Sequence, residues 1–291
     1  MPDALISGAG GFIGKALTTA LRLKDFSITE LSHEKGDIAE SATWEAAPSH
    51  QLVFHLAAKT FVPDSWSNPT AFIHTNTIGT LQALEYCRKH GASLVYVSSY
   101  LYGNPTSLPI AETAPIHTPN PYALSKKNAE DLCFFYHQCY GVNVTIIRPF
   151  NLYGEGQKNT FLIPQLIEQA LVEHRFHVKD LSPKRDYLHL DDFIRALVAT
   201  TRLNGLHIIN LGSGESLSVE EIIQTICRLE GENYPILNDN IRRQNEIMDT
   251  VADIRVAKKI LHWEPYISLE TGLLRMLEYH RNLLSSKKGT H

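Results

Sequence analysis

The sequence predicts an α/β fold: a doubly wound parallel sheet followed by a smaller C-terminal region. Two observations predict it. The first half alternates short apolar runs with amphipathic ones, and a glycine-rich stretch falls between the first such pair.

In chain order, "ALISG" (Ala4 to Gly8) reads as a strand, and "FIGKALTTALRL" from Phe12 reads as a helix with its apolar residues on one side. "SITELS" (Ser27 to Ser32), "QLVFHLAA" (Gln51 to Ala58) and "ASLVYVSS" (Ala92 to Ser99) continue the strand pattern, and Ala71 to Gly91 reads as a long helix closed by glycine. Strands that alternate with helices imply a parallel sheet covered on both faces. "PNPYALSKKNAE" (119 to 130) opens a further helix behind prolines, and "VNVTIIRPF" follows as a strand. After the turn-rich "NLYGEGQ" the alternation becomes less regular and a second region begins. "RDYLHLDDFIRALVATT" (Arg185 to Thr201) again reads as strand, turn and helix, and is expected to return to the main sheet. The expected division is therefore 1–152 plus about 185–212 for the sheet domain, and about 153–184 with 213–285 for the smaller one.

A chain of 291 residues can form one large domain or two modest ones. With 43% hydrophobic and 20% charged residues it has the composition of a folded globular protein rather than a disordered one. The net charge of -4, without a basic block, argues against nucleic acid or an anionic membrane as partner. No apolar run approaches the roughly 18 residues of a membrane span, and "MPDALISGAGG" lacks a basic start and a long apolar stretch, so the expected location is the cytoplasm. Cys87, Cys133, Cys139 and Cys227 form no CxxC pair and read as reduced packing residues.

Gly8, Gly11 and Gly14 recur at intervals of three between the first strand and the first helix, with Phe12 and Ile13 opening that helix. Glycines there let the backbone approach a pyrophosphate, whose charge the helix N-terminus stabilises, so this is a candidate dinucleotide site. An Asp or Glu ending the second strand would hold the ribose hydroxyls of NAD. The register puts Ser32 and His33 there, with Lys35 nearby, which favours room for a 2′-phosphate and hence NADP(H) over NAD(H). Glu30 and Glu34 flank these positions, and a slip of register would reverse the choice.

Tyr122 and Lys126 stand four residues apart, one turn of a helix, on one face. A free phenol has a pKa of about 10. A neighbouring ammonium favours the phenolate, so the pair can move a proton to or from an alcohol or ketone. Ser98 and Ser99 end the strand "LVYVSS", on the edge of a parallel sheet where ligands bind, and either hydroxyl could hold a substrate oxygen.

These three features occur with "GAGGFIG", "HLAA", "NTIGT", "VSSYLYG", "PYALSK", "RPFNLYGEGQ", "RDYLHLDD", "NLGSGESLSVEE" and "ADIRVAKKILHWEP", in that order from residue 4 to about 266. In this the chain resembles the extended short-chain dehydrogenase/reductases, in their NAD-dependent epimerase/dehydratase branch acting on nucleotide sugars. The resemblance implies a Rossmann-type sheet with a smaller substrate-binding region. It implies a cofactor held by Gly8, Gly11 and Gly14, by Asp37 and Ile38 near the adenine, and by Ala57 and Ala58 beside the ribose and pyrophosphate. Tyr122 would be the proton donor or acceptor, Lys126 its electrostatic partner and ribose anchor, and Ser98 the better match to the family serine, with Ser99 as the fallback. Asn151, Arg185 and Arg243 match substrate positions, the arginines suiting a diphosphate, while Asn76 is expected to be structural or to order the cofactor.

Where sugar dehydratases of this family carry Thr-Asp-Glu, this chain reads Ser98-Ser99-Tyr100, so dehydration is not expected. Hydride transfer at carbon 4 remains, either a 4-keto-sugar-nucleotide reductase, which the missing acid after the second strand favours, or a 4-epimerase with bound NAD. A non-catalytic dinucleotide sensor is the alternative of another class; it would be expected to lose the tyrosine or the lysine. Apolar residues around more than one face of the Tyr122 helix, among them Leu132, Phe134, Phe135 and Tyr136, suggest a homodimer formed with the Ala71 to His90 helix.

Overall fold

The structure is a computed structural model that describes residues 1–241 and 246–288, so Arg243 lies outside the described residues. Strands β1 (Asp3–Ser7), β2 (Ser27–Leu31), β3 (Leu52–His55), β4 (Ser93–Val97) and β5 (Val144–Pro149) form with β10 (Leu206–Leu211) one parallel sheet. Its order is β10-β5-β4-β3-β1-β2. The remaining strands are short and pair outside it: β6 (Asn151–Tyr153) with β9 (Tyr187–His189), β7 (Phe176–Val178) with β12 (Ile236–Asn238), and β8 (Lys184–Arg185) with β11 (Leu217–Ser218).

Side chains alternate across the sheet with period two. Ala4, Ile6, Phe54, Val95 and Val97 pack on one face with the Phe12–Arg22 and Leu190–Ala199 helices; Leu5, Val53, Leu94 and Tyr96 pack on the other with the Gly79–His90 and Pro121–Tyr140 helices. Covering both faces explains why the strands read as near-continuous apolar runs. The order reverses direction at β1 and β3, and such a switch point opens a crevice at the C-terminal ends of the strands.

Two expectations need correction. The "RDYLHL" strand does not rejoin the main sheet: Tyr187–His189 pairs with Asn151–Tyr153, and the return is made by the helix Leu190–Ala199 and by β10. A three-residue strand with polar neighbours lacks the apolar length of a central strand, whereas "LHIINL" of β10 has it. The division of the chain is also less simple than expected. A separate core gathers Tyr153, Ile163, Ile167, Phe176, Ile222 and Leu273, from the smaller region, but Ala257, Leu261 and Trp263 pack with the sheet core instead.

The long helix expected over Ala71 to Gly91 runs as Pro69–Phe72, a π-helical stretch Ile73–Ile78, and Gly79–His90, ending with Gly91 in the left-handed conformation. No helix among the described residues is long and apolar enough to cross a membrane. The four cysteines are free thiols, Cys87 and Cys133 buried and Cys139 exposed.

Candidate active site

The glycine loop occupies the switch point. Gly8 has φ +79°, and a Cβ built on it would lie 2.7 Å from the backbone nitrogen of Ala57; a Cβ on Gly14 would lie 2.2 Å from the carbonyl oxygen of Gly8. Neither position admits a side chain, so the loops after β1 and β3 close on each other backbone to backbone. The following helix has no acidic residue in its first turn, which leaves its positive N-terminal end open to an anion. Phe12 and Ile13 lean on the sheet core beneath. These residues fit a dinucleotide pyrophosphate, and Ala57 and Ala58 are half-buried beside the glycine loop.

Strand β2 ends at Leu31, so Ser32 is the first residue past the strand, as the expected register required. Ser32 is half-buried and His33, Glu34 and Lys35 are exposed. Glu30 lies inside the strand, and its carboxylate is paired with Arg22 at 2.7 Å. Asp37 caps its own turn through Ala39 N at 2.9 Å, and Ile38 is buried. His55 bridges the bases of two loops: Ser7 Oγ donates to Nδ1 at 2.6 Å, and Nε2 donates to Thr80 Oγ1 at 3.1 Å, a tautomer assigned because Thr80 spends its own proton on the carbonyl of Asn76.

The helix Pro121–Tyr140 carries Tyr122 and Lys126 to the C-terminal edge of β4. Proline at its first position and the Asn120 side chain, which accepts from Ala123 N at 2.8 Å, set its start. Asn76 pins the same turn: its Nδ2 donates to Ser125 Oγ at 2.9 Å, and it bonds both the N–H and the carbonyl of Lys59. Asn76 is thereby a strut between the loop after β3 and the Tyr122 helix.

Lys126 is buried, and its Nζ donates to the Val97 carbonyl at 2.8 Å above the ring of Tyr96. Burial lowers its pKa to about 7 against the opposing field of Glu130. Tyr122 is pushed the other way, up to about 12, by burial, with hydrogen bonding to the Ser99 side chain pulling it back. The expectation that the lysine favours the phenolate is therefore not met in this structure: the ammonium is directed at Val97, and desolvation dominates the phenol. Of the two serines, Ser99 is the one that interacts with Tyr122, while the Ser98 hydroxyl is buried with no hydrogen-bond partner among the described residues.

From Tyr100, next to Ser99, a chain of contacts leads to the expected substrate positions. Tyr100 stacks on Phe150 and its hydroxyl donates to Asn151 Oδ1 at 3.3 Å; Asn151 Nδ2 donates to the Asp186 carbonyl at 3.1 Å. Arg185 comes next, donating to the carbonyls of Lys184 and Ile247 and pairing with the Glu246 carboxylate.

Sequence reasoning missed three residues that the structure makes central. Asp186 is buried and accepts from Ser213 N and Oγ, Gly214 N and Ala252 N, tying "RDY" to "LGSG" and to "ADI". Glu130 and Arg148 form a buried ion pair behind Lys126. Charged residues inside otherwise apolar stretches, Arg148 in "VTIIRPF" and Glu130 one turn past Lys126, were the available signal.

The comparisons agree with this geometry. The model of the NAD dependent epimerase/dehydratase family matches residues 4–212. A UDP-glucuronate 4-epimerase of Thermodesulfobacterium geofontis is 35% identical over 237 residues, 80% of this chain and 73% of that protein. A GDP-6-deoxy-D-mannose reductase of Pseudomonas aeruginosa is 30% identical over 294 residues, 94% and 95% of the two chains. The crystal structure of a UDP-glucose 4-epimerase from Thermotoga maritima with UDP-glucose superposes with a TM-score of 0.91 at 26% identity, covering 97% of this chain and 99% of that one. RMD from Pseudomonas aeruginosa, complexed with NADPH, gives 0.88 at 27% identity, covering 97% and 100%. With more than half of its length matched by one family model, and with the glycine loop, Tyr122 and Lys126 assembled at one sheet edge, this chain belongs to the NAD-dependent epimerase/dehydratase family.

Proposed function

We propose that the protein is an NAD(P)-dependent oxidoreductase acting at carbon 4 of a nucleotide-activated sugar, in the direction of reducing a 4-keto sugar nucleotide. One observation supports the direction: β2 ends at Leu31 with Ser32 and His33 next and Glu30 engaged by Arg22, so no acid stands there for the ribose hydroxyls of a permanently held NAD, while the half-buried Tyr122 phenol is a proton donor in either reading. A bound nicotinamide, held by Gly8, Gly11, Gly14, Ala57 and Ala58, would supply the hydride chemistry.

The side chains supply the rest. Ser99, with Ser98 beside it, holds the carbonyl oxygen of the sugar near Tyr122. Tyr122 Oη gives its proton to the oxygen at carbon 4 as negative charge develops there, and Lys126, one helical turn away, is assigned as the cation that turns from the Val97 carbonyl toward the phenolate left behind. Asn151 and Arg185, with Arg243, are assigned to the sugar and diphosphate, the guanidinium of Arg185 exchanging Glu246 for phosphate oxygens. Ser32, His33 and Lys35 are assigned to the cofactor ribose; with Glu30 engaged by Arg22, this end of β2 suits a 2′-phosphate and so NADP(H).

A second reading, a 4-epimerase with tightly held NAD, is favoured by the similarity to the Thermodesulfobacterium 4-epimerase, which is 35% identical. Denaturing the purified protein and identifying the released nucleotide separates the two. The reductase is expected to release little nucleotide and then to consume NADPH with a 4-keto sugar nucleotide. NAD released near one per chain, with no NADPH consumption, would replace it by the epimerase.

A further inference from the structure

Behind Lys126 lies a pair of charges that the proton transfer itself does not use. Glu130 is four residues beyond Lys126, on the same face of the helix. Both its oxygens are bonded to Arg148 at the end of β5, Nε to Oε1 at 3.0 Å and Nη2 to Oε2 at 2.6 Å, and the two side chains are 0% and 2% exposed. The third nitrogen of Arg148 is also used: Nη1 donates to Tyr102 Oη at 3.0 Å and to the Glu112 carbonyl at 3.1 Å, and Tyr102 in turn donates to Asn210 Oδ1 at 2.6 Å. The pair is therefore rigid. An ion pair this deeply buried commonly gives no net stability over apolar residues of the same volume, because desolvation offsets the attraction. Its presence one helical turn from the lysine points to an effect on the lysine.

The other groups around Lys126 are neutral near pH 7. His55, from β3, has its pKa lowered to about 3 by burial and by the Lys126 charge. Burial raises Tyr96, from β4, and Tyr122 and Cys133, from the same helix as Lys126. Asn76 and Ser125, which pack beside this turn, carry no charge. Among the described residues Glu130, buried one helical turn from Lys126, is the anion whose field acts on it, and Arg148 holds both Glu130 oxygens.

We propose that Glu130 is a positioning residue for Lys126: clamped by Arg148, its carboxylate keeps the buried lysine an ammonium, one helical turn from Tyr122. The alternation of Lys126, Glu130 and Arg148 gives one cation a fixed counter-charge, with Glu130 held by Arg148 and the Lys126 ammonium bonded to the Val97 carbonyl. The inference rests on the role given to Lys126 under the proposed function.

The test follows the ε-carbon resonance of Lys126 by NMR during a pH titration of the cofactor-free full chain labelled in its lysines, the resonance being assigned with Lys126→Met. Glu130→Gln preserves shape and removes the charge. Its Lys126 midpoint is expected to fall by at least one pH unit, a tenfold loss of proton affinity. In Glu130→Gln/Arg148→Met, which also removes the screening cation, the midpoint is expected between those of the single variant and the wild type. NADPH binding, followed by fluorescence at pH 8, is expected to weaken about tenfold in Glu130→Gln and to recover at pH 6. An unchanged midpoint in both variants, accompanied only by lower thermal stability, would reduce the pair to a structural one and overturn the proposal. If the single variant fails to fold, the double variant decides: a wild-type midpoint there overturns the proposal as well. The titration uses neither cofactor nor sugar nucleotide, so a shifted Lys126 in a protein without reductase or epimerase activity would sink the proposed function and leave the Glu130 effect intact.

Discussion

Burial acts on Tyr122 and Lys126 with opposite signs, because it disfavours an anion on one and a cation on the other. Replacing Tyr122 by Phe removes the proton donor and little volume. Turnover is expected to fall by about 10²–10⁴-fold with cofactor affinity retained, and full turnover by this variant would remove the tyrosine from the mechanism. For Lys126 the folded value of about 7 lies below its ordinary 10.5, so the unfolded chain binds this proton more tightly. Its contribution to stability therefore rises with pH, from about 7 toward 10.5, and is a constant penalty below 7. Lys126→Met is expected to be more stable than the wild type at pH 6, by about 1–3 kcal/mol, with the gain shrinking by pH 10. Denaturant melts at the two pH values measure it, and an equal difference at both would contradict the burial argument. At this scale the reactive pair was legible because a four-residue spacing on a helix is a local property. The choice between Ser98 and Ser99 was not, since it depends on which hydroxyl the strand end turns toward Tyr122.

At the scale of elements, the glycine loop shows how closely two loops must approach. With Gly14 facing the Gly8 carbonyl, Gly14→Ala cannot be absorbed by a side-chain movement, because the opposing atoms are backbone. It is expected to shift the loop and weaken NAD(P)H binding by tenfold or more, read by isothermal titration, while Gly10→Ala, which meets nothing within 4 Å, leaves binding unchanged. Binding unaffected by Gly14→Ala would mean that this loop does not hold the cofactor. The Pro121–Tyr140 helix could be read from its proline start, and the first four strands from apolar runs flanked by turns, whereas the Asn120 cap came from the structure. The errors fell where runs were short. Tyr187–His189 has the alternation of a strand but only three residues, and its partner Asn151–Tyr153 is set by the Asp186 turn, which no local pattern announces.

At the scale of the molecule, Asp186 joins the sheet to the smaller region through four hydrogen bonds with its carboxylate. Asp186→Asn replaces acceptor oxygen by a donor in a nest of donors. It is expected to raise the Kd for a sugar nucleotide and to leave that for the dinucleotide near its wild-type value, because the hydrogen-bond partners of its carboxylate, Ser213, Gly214 and Ala252, do not include the glycine loop or Ala57. Equal loss of both would mean global destabilisation instead. The Pro121–Tyr140 helix leaves Leu124, Phe135 and Tyr140 exposed while its other face packs on the sheet core. A homodimer through this helix and Gly79–His90 is expected; Phe135→Glu should shift it to monomer in sedimentation, and a monomeric wild type at micromolar concentration would refute it.

The sequence by itself determined the sheet, the glycine loop and the Tyr122–Lys126 pair, since each rests on spacing within one element or on one strand–helix junction, and such spacings translate directly into which residues share a face. Only the tertiary structure decided the strand that closes the sheet, the partner of Tyr122, and the charges behind Lys126. Those depend on contacts between residues such as Glu130 and Arg148, or Asp186 and Ala252, that lie 18 and 66 positions apart. Their meeting is set by how the sheet twists and packs, and burial then converts the meeting into pKa shifts that no composition or periodicity carries.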